Sequence, residues 1–380
     1  MCALDVNDNS AVYYGGNYWN NLDCTIRMIN RRISGDEKVN WWQHFAAREG
    51  RTFERALILN CGNGWVEREM VGLGFVKEAV GIDYSPDLLA AARDAAGSMP
   101  IQYEQVNINK DSLPQGDFDL VVNHAAAHHI TMLDRVFRNL CRLLPDDGWF
   151  ISFDYVGPHR NQYTTEAWDN AFMLNERLPE NVRQKLVYPD LPTMLLDDPT
   201  EAVHSELILE TLGRYFRVDE LTPVGGPIAY PLLTFNERLF SLPNAEEREL
   251  WAQFVLDRDW EYTSSHPGST LFAYFTGQPE KSVLAEQAKL DDWQSAEDER
   301  EAAALSNGGK YGDRTLLQDV YGQIAQLQQA RSDLQAELEA IRSSYLYSHL
   351  VRTLDKPAVD RLLRSKAAQR VIQRAKHSSS

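Results

Sequence analysis

Residues 55–96, RALILNCGNGWVEREMVGLGFVKEAVGIDYSPDLLAAARDAA, leave few folds open to this chain. Residues 56–61 are a short apolar run, of the length expected for a strand buried on both faces. The run ends in Gly62-Asn63-Gly64, residues 65–73 read as a helix, and residues 79–82 read as a second strand closing on Asp83. Glycine reaches backbone angles denied to other residues and lets a ligand approach the main chain. A strand, a glycine turn, a helix N-terminus and an acid closing the next strand form the grip of a doubly wound sheet on an adenosine-type cofactor. The carboxylate takes the ribose hydroxyls. Glu67 stands where a GxGxxG fingerprint has its third glycine, which argues against NAD or FAD, because that glycine permits close packing beside a pyrophosphate.

The β/α pattern continues. Residues 86–96 read as a helix with Ser85 as N-cap and Pro86 at its first position. Residues 101–106 and 118–123 read as strands around a polar loop, 107–117. A helix over 131–144 has Leu133, Val136, Phe137, Leu140 and Leu144 on one face, and residues 149–155 form a fifth strand. Regularity then breaks over 157–199, a segment long enough to be a lid or binding loop. A helix over 201–215, a strand over 216–221, helix over 230–259 and a strand over 270–276 follow. The expected fold is α/β, a seven-stranded, mostly parallel sheet with helices on both faces. Its domain spans 55–276 with the 157–199 insertion, behind a helical, aromatic cap at 1–54 that includes Trp41, Trp42, His44 and Phe45.

Three features bound the class. The formal charge of -17 over 380 residues lacks the basic footprint of a general nucleic-acid binder. Cys2, Cys24, Cys61 and Cys141 show neither CxxC nor zinc spacing, as expected of a reducing compartment. The N-terminus lacks signal-peptide character and no stretch approaches 18 apolar residues, so the expectation is cytoplasmic. Beyond a linker at 277–314, Val320, Ile324, Leu327, Arg331, Leu334, Leu338, Ile341 and Tyr345 recur at alternating steps of four and three. That spacing predicts a coiled-coil helix over 315–354, for self-association or a coiled-coil partner, or else a long helix folded back on its own domain. Residues 352–380 carry eight Lys/Arg against Asp355 and Asp360. This basic tail, taken as 355–380, suits peripheral contact with an anionic membrane, or docking on the acidic body or on a partner.

The runs LILNCGNG, VGIDYSPDLLAAAR, FDLVVNHAAAHHI and LLPDDGWFISFDYVGP resemble the class I S-adenosylmethionine-dependent methyltransferases. ISGD at 33–36, GNGWVER at 62–68, HHI at 128–130, DYVGPHRNQ at 154–162, LPENVR at 178–183 and DDPTEAVHS at 197–205 resemble a bacterial group associated with polysaccharide or other glycan assembly. The resemblance covers residues 13–276. It implies S-adenosylmethionine as cofactor, with Gly62 and Gly64 beside its methionine part, Asp83 on the ribose and Tyr84 flanking the adenine. Asn107 or Asn109 stands where many relatives place an acid near the adenine amino group. Asn60 precedes the CG pair where a small residue or an acid is more usual, and Asn123 and His124 line the cleft.

Methyl transfer asks the protein to hold the acceptor in line and remove its proton. His124, His128 and His129 crowd into six residues after a strand, where ligands bind in this architecture. One of His128 and His129 is the candidate base; packing and substrate orientation are the competing roles. No spacing supplies a third metal ligand to this loop, so no metal is expected. Asp154, Tyr155, His159, Arg160, Gln162, Tyr163, Glu176 and Arg177 are the candidate acceptor contacts. The expected activity is O-methylation of a sugar hydroxyl on a polysaccharide precursor or glycolipid. The alternatives are a small-molecule N- or O-methyltransferase and a non-catalytic scaffold with a vestigial domain.

Overall fold

A computed structural model of the chain describes residues 16–286, 288–289, 296, 299–300, 324–334 and 336. The strands are β1 (Phe53–Leu59), β2 (Val76–Asp83), β3 (Ile101–Gln105), β4 (Leu120–His124), β5 (Trp149–Tyr155), β6 (Phe216–Gly225) and β7 (Phe272–Pro279). They form one sheet in the order β3-β2-β1-β4-β5-β7-β6. β1 to β5 pair in parallel, and β7 runs antiparallel to both β5 and β6. The expected seven-stranded, mostly parallel sheet is therefore present. The chain winds outward from β1 to β3 and then crosses back to β4. The carboxy-terminal ends of β1 and β4 consequently flank a switch point, the place where such sheets bind ligands.

Alternation along the central strands divides the core into two layers. Ala56 and Ile58 of β1, Leu120 and Val122 of β4, and Ile151 and Phe153 of β5 face one layer. Leu57 and Leu59, Val121 and Phe150 face the other. The first layer also takes Trp41, Trp42 and Phe45 from the helix Trp41–Glu49, and Val66 and Met70 from the helix Trp65–Gly72. The helices Leu133–Leu143 and Ile208–Tyr215 seal the second. The amino-terminal aromatics are thus buried core.

The helix Pro86–Ala96 starts as expected, with Ser85 Oγ accepting from Leu88 N–H and Pro86 in the first turn. Other boundaries move. β6 continues past residue 221 to Gly225, with register shifts between Val218 and Glu220 and between Pro223 and Gly225. Such bulges hide a strand from a period-two reading. The expected helix over 230–259 is three: Ala229–Leu233, Glu237–Phe240 and Ala245–Ser265. Phe235 takes a positive φ, and the side chains of Asn236 and Asn244 cap the second and third helices. The helix expected over 201–215 begins at Ile208, after a 3-10 turn at Ser205–Leu207. The 157–199 insertion is not an open loop, since it contains the helices Thr165–Asn175 and Leu191–Asp197.

Residues 299–380 belong to a second compact unit. Within it residues 324–334 are helical, with Ile324, Leu327 and Leu334 exposed. Arg331 is exposed on the same stretch, while Val320, Leu338, Ile341 and Tyr345, the 355–380 tail and residues 1–15 lie outside the described residues. Cys24, Cys61 and Cys141 are buried free thiols. Among the described residues no helix is long and apolar enough to cross a membrane.

Candidate active site

The turn after β1 is built on left-handed backbone: φ is +44° at Asn60, +57° at Gly62 and +76° at Gly64. A Cβ on Gly64 would collide with Tyr103 Oη and lie 2.9 Å from both Ala92 Cβ and Glu67 Oε1, so conformation and space both demand glycine there. Asp83, at the end of β2, closes on this turn. Its Oδ2 accepts from Gly62 N–H at 2.8 Å, and its Oδ1 accepts from Ser85 N–H at 2.8 Å. Burial raises the Asp83 pKa, and these N–H groups oppose the rise. The Tyr84 N–H also opposes the rise, and with three donors on the carboxylate one acceptor site remains for a ligand hydroxyl.

Asp154, expected to touch substrate, is instead the buried centre of the loop after β4. Its Oδ2 accepts from Asn123 Nδ2 at 2.6 Å and from the N–H groups of Ala126 and Ala127 at 3.1 and 2.6 Å. Its Oδ1 accepts from Tyr155 N–H and from His128 Nδ1, both at 2.6 Å. The loop thus presents His128 and His129 with their ring centroids 4.3 Å apart. Burial works against charge on His128, but Asp154, Glu201 and Asp198 outweigh it and raise its pKa to about 9. His128 is therefore an imidazolium at neutral pH. His129 differs: burial and the neighbouring His128 charge hold its pKa below the usual value, so it stays neutral.

The segment 198–204 faces this loop, and two expected substrate contacts turn out to brace it. Arg160, with a φ of +54°, donates from its guanidinium to the carbonyls of Asp198, Glu201 and Pro199, and its N–H reaches Ala202 O. His159 Nδ1 bonds Val203 O. Both are occupied positioning groups. Their work places Glu201 Oε2 3.8 Å from the Nε2 atoms of both His128 and His129.

Tyr155 is likewise core, its hydroxyl donating to Pro158 O and its ring near Tyr230 and Phe272. Tyr163 is buried and stacks on Trp168. Gln162 donates to the carbonyls of Arg160 and Pro189. Burial, and then the Glu201 charge among other groups, raises the hydroxyl pKa values of Tyr18, Tyr155, Tyr163 and Tyr230, so four tyrosines lie within electrostatic reach of that carboxylate. Glu176 and Arg177 do not join them. They are exposed at the end of the helix Thr165–Asn175, where Glu176 pairs with Arg183 at 3.3 Å. Two surface hollows, of about 340 and 290 Å³, lie elsewhere; Thr52, Gly74 and Phe75 line one, and Glu78, Pro100 and Gln102 the other.

The family model described as "Methyltransferase domain" matches residues 57–152, the stretch from β1 into β5. Together with the strand order and the antiparallel β7, that match decides the fold. It is a class I S-adenosylmethionine-dependent methyltransferase fold. The mouse "EEF1A lysine methyltransferase 4" is 28% identical over 122 residues, 28% of this chain and 48% of that protein. The Legionella pneumophila "Malonyl-[acyl-carrier protein] O-methyltransferase" is 31% identical over 119 residues, 31% of this chain and 41% of that one. The chain thus spans about half or less of the length of the curated relatives it matches. Among solved structures, an S-adenosylmethionine dependent methyltransferase from Mesorhizobium loti aligns at 20% identity and a TM-score of 0.38, covering 60% of this chain and 91% of that one. A putative one from Listeria monocytogenes aligns at 18% identity and 0.39, covering 62% and 96%.

S-adenosylmethionine is the cofactor that this methyltransferase fold carries, and the residues at the switch point fit it. Gly62 and Gly64 leave the main chain uncovered, and Asp83 offers its remaining acceptor site to a ribose. Asn123 Oδ1 and His124 Nδ1 are buried there without a hydrogen-bond partner. Trp41 stacks on the His124 ring at 5.8 Å and Trp65 meets it edge-on at 5.1 Å; burial lowers its pKa to about 4, so it is neutral. Tyr84 is exposed beside Asp83, as adenine contact requires. The polar loop behaves differently from expectation. Asn107 Oδ1 accepts from Asn109 N–H, while Asn109 donates to His129 O at 3.0 Å and accepts from Thr131 N–H at 2.8 Å. Asn109 therefore fixes the histidine loop. Asn60 Nδ2 donates to Ala126 O at 3.3 Å, joining the turn after β1 to the same loop.

Proposed function

We propose that the chain transfers a methyl group from S-adenosylmethionine to an oxygen acceptor, a sugar hydroxyl of a polysaccharide precursor or glycolipid. One observation carries the reading. The glycine turn, Asp83 and the histidine loop follow the carboxy-terminal ends of the parallel strands β1, β2 and β4, and Asn60 ties the first to the third. Bound S-adenosylmethionine supplies an electrophilic methyl group, so the chain's own residues need only orient the acceptor and take its proton. His129 is the neutral imidazole of the pair, and His128, charged by Asp154, orients. Of the tyrosines within reach of the Glu201 charge, Tyr18 and Tyr230 are half-buried and supply aromatic faces and hydroxyls of the kind that bind sugars. The relatives named above are a lysine methyltransferase and a malonyl-[acyl-carrier protein] O-methyltransferase, and so favour neither nitrogen nor oxygen.

Isothermal titration with S-adenosylmethionine and with NAD tests the cofactor. Losing the Asp83 carboxylate removes a charge-assisted bond, so D83A should weaken S-adenosylmethionine binding by about 10- to 100-fold. D83N, which keeps an acceptor oxygen for Gly62 N–H, should lose less. NAD binding without S-adenosylmethionine binding would sink the assignment. Product analysis against a glycan panel and a small-molecule panel then separates the acceptor classes.

A further inference from the structure

Glu201 is the third donor that the spacing of the histidine loop did not reveal. His128 Nε2 and His129 Nε2 each lie 3.8 Å from Glu201 Oε2, and the three ligand atoms fall within 4.8 Å of one another. Donors bound to one metal ion at about 2.0–2.2 Å stand roughly 3–3.5 Å apart, so small side-chain movements close the gap.

Each ring is also held at its other nitrogen. His128 Nδ1 lies 2.6 Å from Asp154 Oδ1. His129 Nδ1 lies 3.2 Å from Thr200 Oγ1, and that hydroxyl donates to Asp198 Oδ1 at 2.8 Å. A hydroxyl that gives its hydrogen to a carboxylate accepts from the ring, so Thr200 and Asp198 together hold His129 at Nδ1. Support of this kind at the remote nitrogen orients metal-binding histidines. The backbone is braced as well: Arg160 holds the carbonyls of Asp198, Pro199, Glu201 and Ala202, Val203 N–H donates to His128 O, and Asn109 holds His129 O.

We infer that His128, His129 and Glu201 bind one divalent transition-metal ion, of the Zn2+, Fe2+ or Mn2+ class, with coordination positions left open for the acceptor; binding releases the Nε2 proton of His128 to solvent, while its Nδ1–H stays on Asp154. Two imidazoles and one carboxylate suit those ions, whereas Mg2+ and Ca2+ prefer oxygen alone. Only the consequence rests on the methyltransferase reading. An acceptor hydroxyl held on the ion would lose its proton to solvent water more readily, and His129, as a ligand, would no longer serve as the base.

The full-length chain, stripped with EDTA and dialysed, is titrated with Zn2+, Mn2+ and Mg2+, and the same preparations are titrated with S-adenosylmethionine. The expected result is one Zn2+ or Mn2+ per chain, with Mg2+ at least about 100-fold weaker. T200V, which removes the hydroxyl linking His129 to Asp198 and no proposed ligand, should weaken that binding by about 10- to 100-fold, and E201Q and H129A by more. The E201Q variant should keep its S-adenosylmethionine affinity and its melting temperature. No stoichiometric binding by the wild type, or equal binding by the wild type, E201Q and H129A, overturns the site. Loss of S-adenosylmethionine binding alone would strike the methyltransferase reading and leave the metal site standing.

Discussion

Replacing Asp154 by alanine is expected to cost about 3–5 kcal/mol of stability, the usual penalty for leaving one partner of a buried ion pair alone. In a domain of this size that lowers Tm by roughly 10 °C, measurable by calorimetry in EDTA. The side chain is fully buried and accepts from five groups: Asn123 Nδ2, His128 Nδ1 and the N–H groups of Ala126, Ala127 and Tyr155. Alanine removes the partner of all five, Asn123 alone keeping a second acceptor in Ser152 Oγ, and leaves the charge on His128 without its counter-ion. D154N keeps an acceptor oxygen and the shape, so it should lose less stability while losing the charge that raises His128. Burial raises the Asp154 pKa, but His128, Asn123 and the loop N–H groups hold it below the usual carboxylate value. The His128 pKa is raised to about 9. The pair therefore stabilises the fold across the neutral range. Its contribution is lost as pH falls through the depressed carboxyl pKa, and again as pH rises through about 9. A D154A protein that melts within about 2 °C of wild type would show the loop to be held by something else.

The parts of the site that could be read from the sequence are those that end buried parallel strands. β1, β2 and β4 are apolar runs closed by Gly62, Asp83 and His124, and in a doubly wound sheet such strand ends converge on the switch point. The rest needed tertiary structure. Glu201 and Thr200 come more than seventy residues after the histidines, and Arg160, packed inward, together with the exposed His159 holds the segment that delivers them. Asp154 and Tyr155 end β5 beside the site, yet their polar groups are taken up by the neighbouring loop and by Pro158 O. Glu176 and Arg177 went astray differently: the helix Thr165–Asn175, unseen in an irregular stretch, carries them to the surface. A carboxylate in an apolar setting is as good a packing anchor as a ligand, and the sequence around Asp154 does not separate the two.

Glu67 supplies the other large effect, and its sign depends on pH. The side chain leaves the first turn of the helix Trp65–Gly72 and is fully buried beneath the glycine turn. Glycine is required on two sides of it, since a Cβ on Gly64 or Gly81 would lie 2.9 or 3.0 Å from Glu67 Oε1. Burial pushes its pKa from 4.5 to about 7, and Asp83 adds to the rise, against smaller opposing effects of Tyr103 and Arg68. An acid whose folded pKa is raised binds its proton more tightly in the native state. Its contribution is whole below the unfolded value and drains away as pH rises through about 7. Above that pH the native state holds a buried carboxylate at a cost of about 2–3 kcal/mol. E67Q mimics the protonated acid in shape and cannot ionise. It should therefore match wild type near pH 4.5 and melt roughly 5–10 °C higher at pH 8. Thermal melts of both proteins across that range decide the matter. A Tm difference that stays constant with pH would place the ionisation elsewhere, and Glu67 would then be a neutral packing group beneath the cofactor turn.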